Sequence, residues 1–222
     1  MTHLRAMLIT AACAVLGLAG CGGGGNGNNV APSYTTQISS DPAFDGDIEQ
    51  TSASSFTVTQ GMSATVQSVL SGIDPVALTE FRAFLDFPLG GPGGVPSDAI
   101  IDSAFLEVFI NDIQPTGSSI PIRVELVSFQ PPTLIPSDFD RAVQPPLAFT
   151  TIVPPLSPAD AGAYVPIDVT SLMVQAQRLG LSNFQVRILE DLGVSVPVLV
   201  EINDSTGADR ASHAPLLTVT YL

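Results

Sequence analysis

The 222-residue chain contains no lysine and no tryptophan, only two histidines and two cysteines, and its seven basic residues are all arginine. Each shortage removes a class of chemistry. Without lysine there is no Schiff-base nucleophile. His3 lies at the extreme N-terminus, so His213 is the one histidine of the chain's body, and a single histidine without a free thiol cannot assemble a zinc set. His213 sits in the loop sequence Asp-Arg-Ala-Ser-His-Ala-Pro, and no Gly-x-Ser-x-Gly elbow occurs, so a Ser/His/Asp hydrolase lacks its parts. Twenty-one acidic residues against seven arginines leave a net charge of -14. Nucleic acid and anionic headgroups are therefore poor partners, and cationic surfaces or divalent ions better ones. Carboxylate pairs serve a glycosidase only at a defined separation across a cleft, which abundance alone does not supply. The expectation is a protein that is not an enzyme.

Long apolar runs are scarce too. The longest, residues 6–19, follows a short basic start at His3 and Arg5 and ends in small residues, the pattern of an export signal. A membrane-spanning helix needs about 20 apolar residues, so this run is too short, and no later one approaches that length without a charge or a proline. Leu18-Ala19-Gly20-Cys21 resembles the lipobox of bacterial lipoproteins, which implies cleavage after residue 20 and acylation of Cys21. Two or more acyl chains hold a protein stably at a bilayer. Gly22, not aspartate, follows the cysteine, so the expected address is the cell envelope, at the outer membrane or cell surface. Cys13 leaves with residues 1–20 and Cys21 carries lipid, so no intrachain disulfide is expected.

What is present is the composition of strands and turns: 19 glycines, 19 prolines and an apolar content of 45%. Residues 21–40, rich in Gly, Asn and Ser, read as a flexible tether spanning about 25 Å, and residues 41–222 as a single domain. That domain is organised around residues 81–110, two alternating runs joined by a Gly/Pro hinge. In the first run Phe81, Ala83, Leu85, Phe87 and Leu89 share one face, and Arg82, Phe84 and Asp86 the other. In the second, Ala104, Leu106, Val108 and Ile110 are opposed by Ser103, Phe105, Glu107 and Phe109.

Shorter strand signals precede this pair at residues 47–50, 56–59 and 64–70 and follow it at 120–128, 184–189, 196–202 and 216–222. In 120–128, Ile122, Val124 and Leu126 are expected to face inward and Arg123 and Glu125 outward. In 216–222, Leu217, Val219 and Tyr221 alternate toward a core. Residues 130–156 carry so many prolines that they predict only edge strand or long loop. One helix is expected over residues 170–179, with Leu172, Met173, Ala176 and Leu179 on its apolar face, Asp168 or Thr170 as N-cap and Gly180 after its end. Short strands at regular spacing predict an all-β antiparallel sandwich or barrel with one short α-helix.

The order Phe81-Arg82-Ala83-Phe84-Leu85-Asp86-Phe87, Gly94-Val95-Pro96, Ile101-Asp102-Ser103-Ala104-Phe105-Leu106-Glu107-Val108, Ile167-Asp168-Val169-Thr170 and Ala214-Pro215-Leu216-Leu217-Thr218-Val219-Thr220-Tyr221 resembles the DNRLRE family of extracellular domains. The likeness covers most of residues 78–222. That family is similar to jelly-roll carbohydrate-binding modules, and the resemblance implies a β-sandwich of a secreted or surface protein.

The expected function is accordingly a surface-anchored lipoprotein whose sandwich binds polysaccharide or another cell-envelope component. The alternative is a structural or assembly lipoprotein that docks on a protein partner. If a ligand sits on the organising pair, Arg82, Phe84, Phe105, Glu107 and Phe109 form its platform, unless loops or the helix cover that face. No cofactor is implied; calcium would require convergence of Asp45 and Asp47, Asp138 and Asp140, and Asn203 and Asp204, against which stands the reading of solvated turn acids.

Overall fold

The computed structural model describes residues 32–61, 67–115, 119–129, 133–191, 193 and 197–222. The expected signal sequence, residues 1–20, and Cys21 lie outside them. In chain order the strands are β1 (Tyr34–Ser39), β2 (Gly46–Ser52), β3 (Ser55–Gln60), β4 (Ser68–Ile73), β5 (Glu80–Pro88) and β6 (Ile101–Gln114). There follow β7 (Ile122–Val127), β8 (Ala148–Thr151), β9 (Ala163–Asp168), helix α1 (Thr170–Arg178), β10 (Asn183–Glu190), β11 (Leu199–Asn203), the one-turn helix α2 (Arg210–His213) and β12 (Leu216–Tyr221).

Every pairing is antiparallel, and the strands form one curled sheet in the order β1-β12-β6-β11-β4-β5-β10-β7-β8, with β2 joined to β3 and β5, and β9 to β6. This is the all-β antiparallel fold that the alternating runs predict, and its curled sheet is compatible with the jelly-roll-like sandwich that the family resemblance implies. β6 is its longest strand, and its inner face, Ala104, Leu106, Val108 and Ile110, is closed to solvent. It meets Leu85, Phe87, Val186 and Ile188 in the main core, which Leu172, Met173 and Ala176 of α1 extend. Gly72 has a φ of +110°, and a Cβ there would fall 2.2 Å from the Val198 carbonyl, so only glycine lets the chain before β11 cross β4 so closely.

The helix starts as its sequence suggests but is capped differently. Val169 takes the N-cap position, and Asp168 Oδ1 accepts the Thr170 N–H at 2.9 Å from one residue further out. Gly180 closes the helix at a φ of +64°. Leu179, expected inside, is exposed, because it lies past the last helical turn.

Three expectations need correction. Residues 34–39, expected in the tether, form β1 and pair along their whole length with β12, so the tether expected to run to residue 40 overlaps the sheet. Tyr, Thr and Ile give that segment strand character despite its polar composition. Arg123 and Glu125 are buried, as is every other residue of β7. Phe84 is also fully buried: Ile48 of β2, with Val127, Phe129, Leu134 and Phe139, forms a second apolar cluster over the outer side of β5. The Phe84 and Phe129 rings meet edge to face with centroids 5.8 Å apart.

Candidate binding face

β6 places Phe105, Glu107 and Phe109 on its outer side by the alternation that buries their neighbours. β12 and β9 flank it and extend the same face in cross-strand rows. One row runs Gln37, Thr218, Phe105, Asp168, and the next Ser39, Leu216, Glu107, Pro166. Phe105 is 41% exposed at the centre of the first row. Thr218 Oγ1 donates to Glu107 Oε2 at 3.3 Å, which fixes that carboxylate beside the phenyl ring. Hydrogen bonds from the Thr170 hydroxyl and N–H hold the Asp168 carboxyl below its usual range.

The third row is aromatic. Phe109 lies opposite Tyr164, their centroids 5.2 Å apart at 76°, and the His213 ring packs on Phe109 at 4.5 Å and 65°. His213 is nearly parallel to Tyr164, at 12° and 6.4 Å. Tyr164 remains 46% exposed. Ser39, Glu107, Tyr164, Arg210 and Leu216 enclose a cleft of about 190 Å³ beside this trio. Tyr164 and His213 are the residues that sequence reasoning missed. The signal for Tyr164 was the alternation of Tyr164, Pro166 and Asp168 against Val165 and Ile167, masked by the proline. His213, read as a loop residue without a role, gave no signal, since α2 is too short to carry a periodic pattern.

The five platform candidates therefore divide. Phe105, Glu107 and Phe109 stand together on an open sheet face, whereas Arg82 and Phe84 belong to a covered one. The Arg82 guanidinium lies 3.9 Å over the Phe139 ring, donates to the Phe139 carbonyl and pairs with Glu80 at 2.8 Å.

Behind Arg82 lies a buried ion network. The Glu125 carboxylate, closed to solvent, receives Arg187 Nε at 3.0 Å and Nη2 at 2.7 Å on Oε2. Its Oε1 receives Arg123 Nε at 2.9 Å and Arg141 Nε at 2.7 Å. Arg187 Nη1 also donates to the Asp138 carbonyl at 2.6 Å, and the Arg123 guanidinium lies 3.4 Å over Phe149. Burial pulls the Arg187 guanidinium below its ordinary value, opposed by Glu125. One acid thus ties β7 and β10 to the proline-rich chain before β8, a structural arrangement with no open coordination position.

A second polar cluster joins the turn after β1 to the loop after β11. Arg210 Nη1 donates to Asp204 Oδ1 at 2.8 Å and to the Ser205 carbonyl at 3.3 Å, and Nη2 donates to Ser40 Oγ at 3.0 Å and to the Ser40 carbonyl. Asp45 Oδ1 accepts the Asp86 N–H at 2.8 Å, while its Oδ2 is buried without a hydrogen-bond donor, 3.9 Å from Arg210 Nη2. Burial, then the charge of Asp204, holds the Asp45 carboxyl well above its usual range. Burial likewise raises Asp204, against its hydrogen bond to Arg210. Asp45 and Asp204 thus converge, but around an arginine, and Asp138 is turned to the Ile135 N–H of its own loop. No group of three or more metal-ligating side chains fit to hold an ion occurs among the described residues.

The described residues contain no helix long and apolar enough to cross a membrane. A scan against family models finds no match, and a search of curated proteins finds none either.

Proposed function

We propose that this chain is a surface-anchored lipoprotein carrying a non-catalytic binding module for polysaccharide or another cell-envelope component, held on the outer face of β6, β9 and β12. The observation that supports it is one exposed face on which Phe105, Phe109, Tyr164 and His213 stand beside Glu107, Thr218 and Asp168. Aromatic rings supply flat apolar surface for the faces of sugar rings, and the carboxylates and hydroxyl accept and donate to their hydroxyls. The acidic rim repels acidic polymers, so the ligand in this reading is neutral or amino-bearing. The likeness to DNRLRE domains points the same way.

The test is retardation on native gels cast with neutral, amino-bearing and acidic polysaccharides. Phe105→Ala and Tyr164→Ala are expected to abolish retardation by the neutral or amino-bearing polymer while the thermal midpoint moves little. A wild-type chain that no polysaccharide retards overturns this reading in favour of docking on a protein partner. Anchoring is tested separately: Cys21→Ser is expected to move the chain from the membrane to the soluble fraction after a carbonate wash, and a variant that still sediments with membrane means lipid is not the anchor.

A further inference from the structure

Carboxylates on the covered parts of this fold are met by cations: Glu125 by Arg123, Arg141 and Arg187, Glu80 by Arg82, and Asp204 by Arg210. Glu107, on the outer side of β6, is not. Among the described residues its carboxylate receives the Thr218 hydroxyl on Oε2 and pairs with no arginine, so Oε1 stays open to a ligand. Its cross-strand neighbours are Leu216 and Pro166, two apolar residues that bring it no counter-charge. The residue is half-buried, and a carboxylate partly withdrawn from water draws a cation more strongly than one in bulk solvent.

The cleft of about 190 Å³ that Glu107 lines holds the remaining parts of an ammonium site. An ammonium group carries three donors. Beside the Glu107 carboxylate the cleft offers the hydroxyls of Ser39 and Ser212, and the half-exposed Tyr164 ring supplies a negative face. Arg210, the arginine of the lining, donates to Asp204, Ser205 and Ser40, and Asp204 at 2.8 Å balances its charge. The second carboxylate of this face, Asp168, stands opposite Phe105 and accepts the Thr170 N–H.

We infer that Glu107 is the specificity-determining residue of the proposed binding face, and that the cleft beside it takes the primary ammonium group of an amino sugar in preference to an acetamido or hydroxyl group at the same ring position. An acetamido group has lost the charge and two of the three donors, and a hydroxyl has one donor and no charge. Neither neutralises Glu107. Hydrogen bonds to an ionised partner are roughly twice as strong as neutral ones, so the preference follows from this one carboxylate.

The inference rests on the proposed binding reading, and its test lets the two fail separately. The full chain is titrated calorimetrically with three oligosaccharides of one length and linkage that carry an ammonium, an acetamido or a hydroxyl group at the second carbon of each ring. One pH below the range of amines is used, in about 0.15 M salt, which screens the general attraction of an acidic protein for cations. The wild type is expected to bind the ammonium form about tenfold or more tightly than the other two, the effect of one hydrogen bond to a charged group. Glu107→Gln keeps the length of the side chain and an acceptor for Thr218, and is expected to bring the three affinities together without moving the thermal midpoint. Asp140→Asn removes one exposed carboxylate from the chain that covers β5, and is expected to leave the preference intact. His213 is unchanged in every protein, so its charge cancels in the comparison. Equal affinities in the wild type, a preference that survives Glu107→Gln, or one that Asp140→Asn abolishes as well, overturns the inference and leaves the binding reading in place. A wild type that binds none of the three also overturns it, and gel retardation by the other polysaccharides then decides the reading by itself.

Discussion

The outer side of β5 and the outer side of β6 carry the same pattern, aromatic residues alternating with charged ones, and meet opposite fates. Phe84 on β5 is fully buried under Ile48, Phe129, Leu134 and Phe139, while Phe105 on β6 is 41% exposed between Thr218 and Asp168. The difference lies in what the rest of the chain brings. Over β5 the connection of residues 133–147, with prolines at 136, 145 and 146, runs back across the sheet; its carbonyls give the arginines of β5 and β10 partners, and its Arg141 reaches Glu125 of β7. Among the described residues, α2 approaches the outer side of β6 at one end. A covered face must satisfy every charge it buries, and an open one need not.

The strongest way to break this contrast is Glu125→Ala. It leaves Arg123, Arg141 and Arg187 without their shared acceptor, and removing one partner of a buried ion pair costs about 3–5 kcal/mol. Three guanidiniums losing one shared carboxylate place the expected loss at the upper end, measured by denaturant unfolding. A loss under about 1 kcal/mol would mean that the network is wet and the cover loose. Phe84→Ala comes next, with an expected loss of about 3–5 kcal/mol for a fully buried ring.

Asp47 of β2 sharpens the contrast through pH. Its Oδ2 accepts the Leu70 N–H at 3.1 Å, and burial pushes its carboxyl up to about 7. The folded state then holds this proton more tightly than the unfolded chain, whose carboxyl titrates near the ordinary value of about 4. Its contribution is complete below about pH 4, declines as pH rises toward 7, and is flat above, a decline of about 2–4 kcal/mol. Asp47→Asn should remove that slope from the unfolding free energy; an unchanged slope would assign the pH dependence to other carboxyls. Phe105→Ala is the smallest effect, expected below about 1 kcal/mol because the ring is already in water.

These contrasts also explain which parts of the chain could be read in advance. The inner face of β6 was legible because period 2 decides it locally, and Leu217 and Val219 of β12 are buried as their alternation requires. Phe84 was not, because its cover arrives from residues 36 to 55 positions away, and nothing in the sequence near β5 announces it. Arg123 and Glu125 misled for a related reason. A charged residue at every second position reads as a solvated face, yet here the charges satisfy one another with Arg187 from a strand 62 residues on. Of the proposed binding face, Phe105, Glu107 and Phe109 could be found from alternation, whereas Tyr164 and His213 are brought to Phe109 by strand pairing and a one-turn helix.

The pairing of β1 with β12 has a kinetic side. Thr35 and Thr220, whose hydroxyls lie 3.1 Å apart, are separated by 185 residues, so the first strand of the sheet waits for its neighbour until nearly the whole domain is available. Closing contacts between such distant segments is slow, and sheets built this way assemble in about milliseconds to seconds instead of microseconds. During that interval β6 presents an unpaired edge along the stretch that β12 will occupy, flanked by Phe105 and Phe109. A chain of this topology therefore passes through a window in which its longest strand is open to any other extended segment nearby, and the speed with which β12 docks decides whether the product is a folded domain or an aggregate.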